Sequence, residues 1–153
     1  MQIRHATIDD VSLIVSMLAA DKLGQKRESP GLPLAECYET AFAEIDANPN
    51  QELLVAEADG MLVGVLQLSF VRTLTYRGGL RAQIEGVRVH EDWRSRGLGK
   101  QLIEHAIETA KQRDAQLVEL TTDKARPDAL RFYESLEFVA SHVGMKRQLK
   151  PTN

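Results

Sequence analysis

Two hydrophobic periods alternate along the chain and mark out its elements. Gln2 to Ala6 reads as a short first strand. Val11, Leu13, Ile14, Met17 and Leu18 then recur at helical spacing, with Thr7 or Asp9 as cap and an end near Gly24. Residues 21–34 break the pattern, and Ser29-Pro30-Gly31-Leu32-Pro33 marks a loop. Ala41, Phe42 and Ile45 restore helical spacing over Leu34 to Ala47, and Asn48-Pro49-Asn50 stops it. The period then falls to two. Leu53 to Ala58 and Met61 to Thr75 form a strand pair about an Asp59-Gly60 hairpin turn. Arg77-Gly78-Gly79 turns the chain into a fourth strand, Leu80 to Val89. Leu102, Ile103, Ala106, Ile107 and Ala110 line one face of a long helix, Leu98 to Arg113. Leu117 to Thr121 is a fifth strand. Pro127 opens a last helix to about Leu136. Val139-Ala140 and Met145 to Leu149 read as closing strands.

This order predicts a single domain of mixed α/β class over residues 1–153. Its central sheet, mixed and mostly antiparallel, has about six to seven strands, with about four helices on both faces. The crossover from the fourth to the fifth strand through the long helix should be parallel and right-handed.

Charge draws attention to the turn before that helix. Helix N-termini carry unpaired N–H groups and a partial positive charge, and normally attract acids. Here Arg94, Arg96 and Lys100 surround the turn, with Gly97 and Gly99 in it. Cations at a positive dipole end repel one another unless an external anion sits among them. The glycines leave room for backbone N–H groups to approach it, so the direct reading is a phosphate or pyrophosphate site. Two familiar motifs are excluded. A dinucleotide fingerprint needs glycine where Leu102 stands, and a P-loop needs glycine at Arg94 and Ser or Thr at Gln101.

The remaining pattern, Arg94-x-x-Gly97-x-Gly99, resembles the acetyl-CoA pyrophosphate loop of the GNAT N-acetyltransferase superfamily. A second segment, Ala129-Leu130-Arg131-Phe132-Tyr133 with Phe138, is similar to that family's Ala-x-x-Phe-Tyr-x-x-x-Gly-Phe run. Tyr133 follows Gly99 by 34 residues, and the order of elements agrees along nearly the whole chain. Two departures stand out. Glu137 replaces the usual glycine, and Arg126 stands where many members carry an asparagine that contacts the pantetheine arm.

The resemblance implies transfer of an acetyl group from acetyl-CoA to a primary amine by direct attack. It places the pyrophosphate on backbone N–H groups from Arg96 through Leu98 to Lys100, with Arg94 adding charge. It places the pantetheine amides on backbone groups of Val87 and Val89, the Val87 N–H also facing the thioester oxygen. Tyr133 is the candidate general acid for the departing thiolate, the alternative being a packing aromatic. Glu85 is the candidate general base, on the face of Val87 and Val89 by period-two counting. Its alternative is a surface charge.

Composition narrows the acceptor. A net charge of −3 and a pI near 5.8 give no support for nucleic-acid binding. Neither a signal peptide nor a stretch long enough to span a bilayer is legible, so a cytoplasmic protein is the expectation. A small-molecule amine is the leading acceptor. A protein Nα-amine or lysine, or a non-catalytic acyl-CoA-binding regulatory module, is the alternative. Lys22, Lys26 and Arg27, if turned inward, would suit an acceptor bearing carboxylate or phosphate. The four histidines show no ligand spacing and no metal is implied. Cys37 is expected to be packing. Trp93 could cover the loop or lie against the cofactor. The family's habit allows a homodimer through terminal strands.

Overall fold

The computed structural model describes residues 1–151. Strand β1 (Gln2–His5) leads through a tight 3-10 turn at Ile8–Asp10 into α1 (Val11–Leu18). There Asp10 accepts from the Thr7 N–H (2.8 Å) and from Arg4 (2.7 Å), closing the helix entry. Helix α2 (Glu36–Ala47) follows, then strands β2 (Gln51–Ala58) and β3 (Met61–Arg72). Their hairpin has Asp59 and Gly60 at φ 52 and 73, the paired left-handed conformation that Asp-Gly favours. The one-turn element α3 (Thr75–Gly78) is wound left-handed at Tyr76 and Arg77. It delivers β4 (Leu80–Val89), α4 (Leu98–Gln112), β5 (Ala115–Leu120) and α5 (Pro127–Glu134).

The strands lie in the order β1-β2-β3-β4-β5, antiparallel except for the parallel β4–β5 pair. That parallel crossover through α4 is as the glycine-led helix predicts. Helices cover both faces. Leu102, Ile103, Ala106 and Ala110 of α4 pack with Leu54, Leu66 and Leu68 on one side. Val11, Ile14, Val15 and Phe42 pack with Val55 and Val65 on the other. Gly64 lets α4 approach closely, since a Cβ there would lie 2.9 Å from Leu102 Cδ1.

Several expectations change. α1 stops at Leu18 rather than near Gly24, and Leu13 is exposed while Val15 fills the core. On α2 only Phe42 is buried, and Ala41 faces solvent. Cys37 is exposed rather than packed, and its neighbour Tyr38 does the work, accepting from the Ser29 N–H and donating to Glu28.

The sheet has five strands among the described residues, fewer than the six to seven expected. The missing ones are the closing strands at 139–140 and 145–149. A strand forms only where a neighbour takes up its backbone groups. Val139, Val143, Met145 and Leu149 are instead 81%, 80%, 92% and 87% exposed.

Candidate active site

Two irregularities in β4 and its neighbours build the site. The first is a bulge. Val65 pairs with Arg88 and Gln67 with Glu85, so Gly86 and Val87 together oppose Leu66. Gly86 carries it at φ 63, where a side chain is strained. The extra residue shifts the alternation. Ile84, Val87 and Val89 all pack toward α4, whereas Glu85 and Arg88 fall on the α1 side. Period-two counting put Glu85 with Val87 and Val89, and the bulge overturns that placement.

The second is a divergence. β5 pairs with β4 only from Leu80–Ala115 to Ile84–Leu120, while β4 continues beside β3 to Val89. Beyond Ile84 the two parallel strands part, leaving one edge of β4 unpaired over residues 85–89. Side chains reach its carbonyls: Arg88 Nη1 donates to Val87 O (2.8 Å) and Arg94 Nε to Val89 O (3.3 Å).

The glycine loop ends this edge. Ser95 and Gly97 adopt φ 60 and 78, and Gly97 caps α4. A Cβ at Gly97 would meet nothing within 4 Å, so its requirement is conformational. The first turn of α4 contains no acid. Its leading N–H groups, from Leu98 to Lys100, therefore face outward among Arg94, Arg96 and Lys100, all exposed. The Leu98 side chain is buried against the sheet, so only its backbone is available to a ligand. Trp93 covers the loop: half-buried in the core, it carries the Arg96 guanidinium 5.0 Å from its ring centre. A cleft of about 340 Å³ runs beside the loop, lined by Leu13, Ser16 and Met17 of α1 and by Val89, Glu91 and Arg94.

Tyr133 comes from α5, which Pro127 starts at a position where a missing N–H costs nothing. Its ring packs edge-on between Phe132 (5.2 Å) and Phe138 (5.9 Å). Phe132 in turn touches Gly99, lying 3.4 Å from where its Cβ would be. Burial raises the Tyr133 pKa above its ordinary value, while the positive charges of Arg88 and Arg126 pull the other way. The phenol is thus a protonated donor at neutral pH.

Those two arginines, and Asp21 between them, were not picked out as site residues by pattern. Arg126 Nη2 and Arg88 Nη2 both reach Asp21 Oδ2, the latter at 3.7 Å. Arg126, standing in the place of the family's asparagine, is therefore tied to the loop that follows α1. The interior Gly86 was the one available signal, because glycine inside a strand marks a bulge. Lys22, Lys26 and Arg27 are exposed; of these, Arg27 lies near enough to Arg88 to act on it electrostatically.

Residues 22–138 match the family model for the acetyltransferase (GNAT) family. The chain belongs to the GNAT family. Aminoalkylphosphonate N-acetyltransferase of Salmonella typhimurium strain LT2 is 27% identical over 148 residues, covering 97% of this chain and 91% of that one. The crystal structure of a Bacillus halodurans C-125 protein described as a transcriptional regulator superposes with a TM-score of 0.95 at 52% identity, covering 97% of this chain and 99% of its own. A protein assigned as an acetyltransferase from Agrobacterium tumefaciens strain C58 superposes at 0.84 with 30% identity, with coverage of 97% and 99%. As a GNAT member this is an acetyl-CoA-dependent N-acetyltransferase, and the loop and the parted strands take their meaning from that chemistry. Among the described residues no helix is long and apolar enough to cross a membrane, and no group of three or more His, Cys, Asp or Glu is placed to hold a metal.

Proposed function

We propose that the protein acetylates a primary amine of a small cytoplasmic molecule by direct attack in a ternary complex. The observation that carries this reading is the parting of β4 from β5 with a glycine-led, acid-free helix start at one end and the Tyr133 side chain beside it. The residues fit acetyl-CoA. Outward N–H groups at Leu98–Lys100, with Arg94 and Arg96, match a pyrophosphate, and the unpaired edge at Val87 and Val89 matches an amide-bearing arm.

When bound, acetyl-CoA supplies an activated acyl carbon and a thiolate leaving group. Holding it beside the amine makes a bimolecular step effectively unimolecular. Tyr133 holds a proton for the departing sulfur, whose conjugate acid, with a pKa of roughly 8.5 by analogy with cysteine, is stronger than a buried phenol. The phenol therefore gives up its proton only as charge develops on sulfur. Glu85, exposed on the α1 side, receives the amine proton, directly or through water. The small-amine reading is supported by the Salmonella relative, which is named for a small amine substrate. A protein acceptor would need an open groove instead. We also infer a homodimer joined through the tail beyond Phe138.

The test is thermal unfolding with acetyl-CoA, CoA and NAD, followed by thiol release over an amine library. At 100 times its dissociation constant, acetyl-CoA should stabilise by about 2.7 kcal/mol, roughly 5–10 °C in this size range. NAD should give no shift. Absence of a shift with either CoA species defeats the reading. A shift without turnover of any amine, free or in peptides, would favour a regulatory acyl-CoA-binding module, the role the Bacillus halodurans relative's description brings to mind.

A further inference from the structure

Arg88 is an expensive residue where it stands. Its side chain is only 15% exposed, and its Nε is buried without a hydrogen-bond partner. Its remaining contacts are the Val87 carbonyl at 2.8 Å and Asp21 Oδ2 at 3.7 Å. Asp21 is already committed: Oδ1 accepts the Gly24 N–H at 2.7 Å, and Oδ2 takes the Arg126 guanidinium. One carboxylate thus serves two guanidinium groups, with a third arginine, Arg27, nearby. Buried charges persist when they are paired and fully hydrogen-bonded, and this cluster holds two guanidinium groups to one carboxylate, with the exposed Arg27 adding further positive charge. Structural need alone does not account for the excess, since Arg126 by itself would neutralise Asp21 and tie the loop after α1 to the start of α5.

The position of the excess is informative. Arg88 sits on β4 directly after the bulge, on the α1 side, where β4 has parted from β5. Tyr133 is close enough to both Arg88 and Arg126 for each to bear on its ionisation. The surplus positive charge therefore lies beside the side chain that the proposed reaction uses. It is separate from the arginines of the glycine loop, which flank the start of α4.

We propose that Arg88 and Arg126 form a binding site for an oxyanion carried by the acceptor amine, so that the preferred acceptors are small amines bearing a phosphonate, phosphate or carboxylate group. This inference rests on the acetyltransferase reading of the same site. Planar guanidinium groups grip such oxyanions by paired N–H donors, and the unsatisfied Arg88 Nε supplies a donor that nothing in the protein uses. Asp21 acts as a placeholder and orienter, holding both guanidiniums in position until the oxyanion joins them. A site built this way rejects a neutral isostere, because the buried cations are then left short of a partner.

The test compares matched acceptors: 2-aminoethylphosphonate, O-phosphoethanolamine and β-alanine against propylamine and ethanolamine, with acetyl-CoA saturating. The ratio of kcat/KM for the anionic over the neutral amines should be about a hundredfold or more. The three anionic probes separate phosphonate, phosphate and carboxylate as the preferred head group. Arg88→Gln and Arg126→Gln, each confirmed as folded by circular dichroism, should collapse that ratio toward one, chiefly through KM for the anionic acceptor. Arg88→Lys should restore part of it. Equal use of neutral and anionic amines by the wild type, use of neutral amines alone, or no use of any of the five overturns the proposal. So does an unchanged ratio in both glutamine variants. Acetyl-CoA thermal shifts run in parallel keep the two readings apart. A wild type that shifts with acetyl-CoA but shows no charge preference loses the oxyanion site alone; one that does not shift loses the acetyltransferase reading itself.

Discussion

At the residue scale, Tyr133 and Glu137 show how two positions of one short segment divide chemistry from strain. Tyr133 is wedged between Phe132 and Phe138, and that packing both fixes its ring and keeps its hydroxyl protonated. Replacing it with Phe preserves the packing and removes only the O–H. Tyr133→Phe should lower kcat by about 10²–10⁴-fold with little change in the acetyl-CoA dissociation constant, measured by steady-state kinetics and calorimetry. An unaltered kcat would return Tyr133 to a packing role. The pH profile carries a sign as well. A pKa raised by burial keeps the acid form populated past the ordinary tyrosine value of about 10, so no alkaline loss of activity below that pH should trace to this group. Glu137 makes the opposite case. It lies just beyond α5 at φ 67, at the glycine position of the pattern the segment resembles, and its N–H bonds the Glu134 carbonyl at 3.0 Å. A left-handed non-glycine residue costs about 1–2 kcal/mol, part of which glycine returns as unfolded-chain entropy. Glu137→Gly should therefore raise stability by about 0.5–1 kcal/mol in urea unfolding, with activity unchanged.

At the scale of elements, what could be read in advance depended on whether the signal was local. Helix α4, strand β4 and the loop between them were legible, because alternation, glycines and periodicity sit within a few residues of one another. The position of Pro127 gave the start of α5 for the same reason. The face presented by Glu85 and Arg88 was not legible. One residue inserted in β4 inverts every side chain beyond it, and only pairing with β3 shows where the insertion lies. The Asp21–Arg88–Arg126 cluster was hidden for a further reason: its members are far apart in the chain and meet only through that inversion. The bulge is therefore the element on which the acceptor side depends, and it hangs on one residue. Gly86 sits at φ 63, and a Cβ there would lie 3.8 Å from Leu18 Cδ2, an ordinary contact. The penalty for Gly86→Ala is then conformational rather than steric, about 1–2 kcal/mol. Urea unfolding should show a lower midpoint at unchanged slope. A midpoint equal to wild type would mean that the bulge relaxes and does not require glycine.

At the scale of the whole molecule, the tail beyond Phe138 and the edge of β5 are two incomplete halves of the same structure. β5 ends the sheet, and its outer edge has no strand beside it among the described residues. An uncovered edge invites pairing with another chain. The tail carries a largely matching pattern: Val139, Val143, Met145 and Leu149 fall on one face by period two, interrupted by Ser141 and Arg147, and His142, Lys146, Gln148 and Lys150 fall on the other. Those four apolar side chains are 80–92% exposed in the isolated chain. Burying four such side chains is worth about 6–12 kcal/mol, and twice that for a symmetric pair, against an association cost of about 4–15 kcal/mol. The balance favours two copies that each lend the tail to the other's β5. At ten micromolar the full chain should run as a dimer in light scattering coupled to size exclusion. A chain ending at Phe138 should run as a monomer, or aggregate through its bare edge. The double change Val143→Lys and Met145→Lys removes the apolar face without shortening the chain, and should give the monomer as well. A full-length monomer at that concentration would refute the exchange. A dimer that survives both changes would place the interface elsewhere and leave the tail's apolar face unexplained.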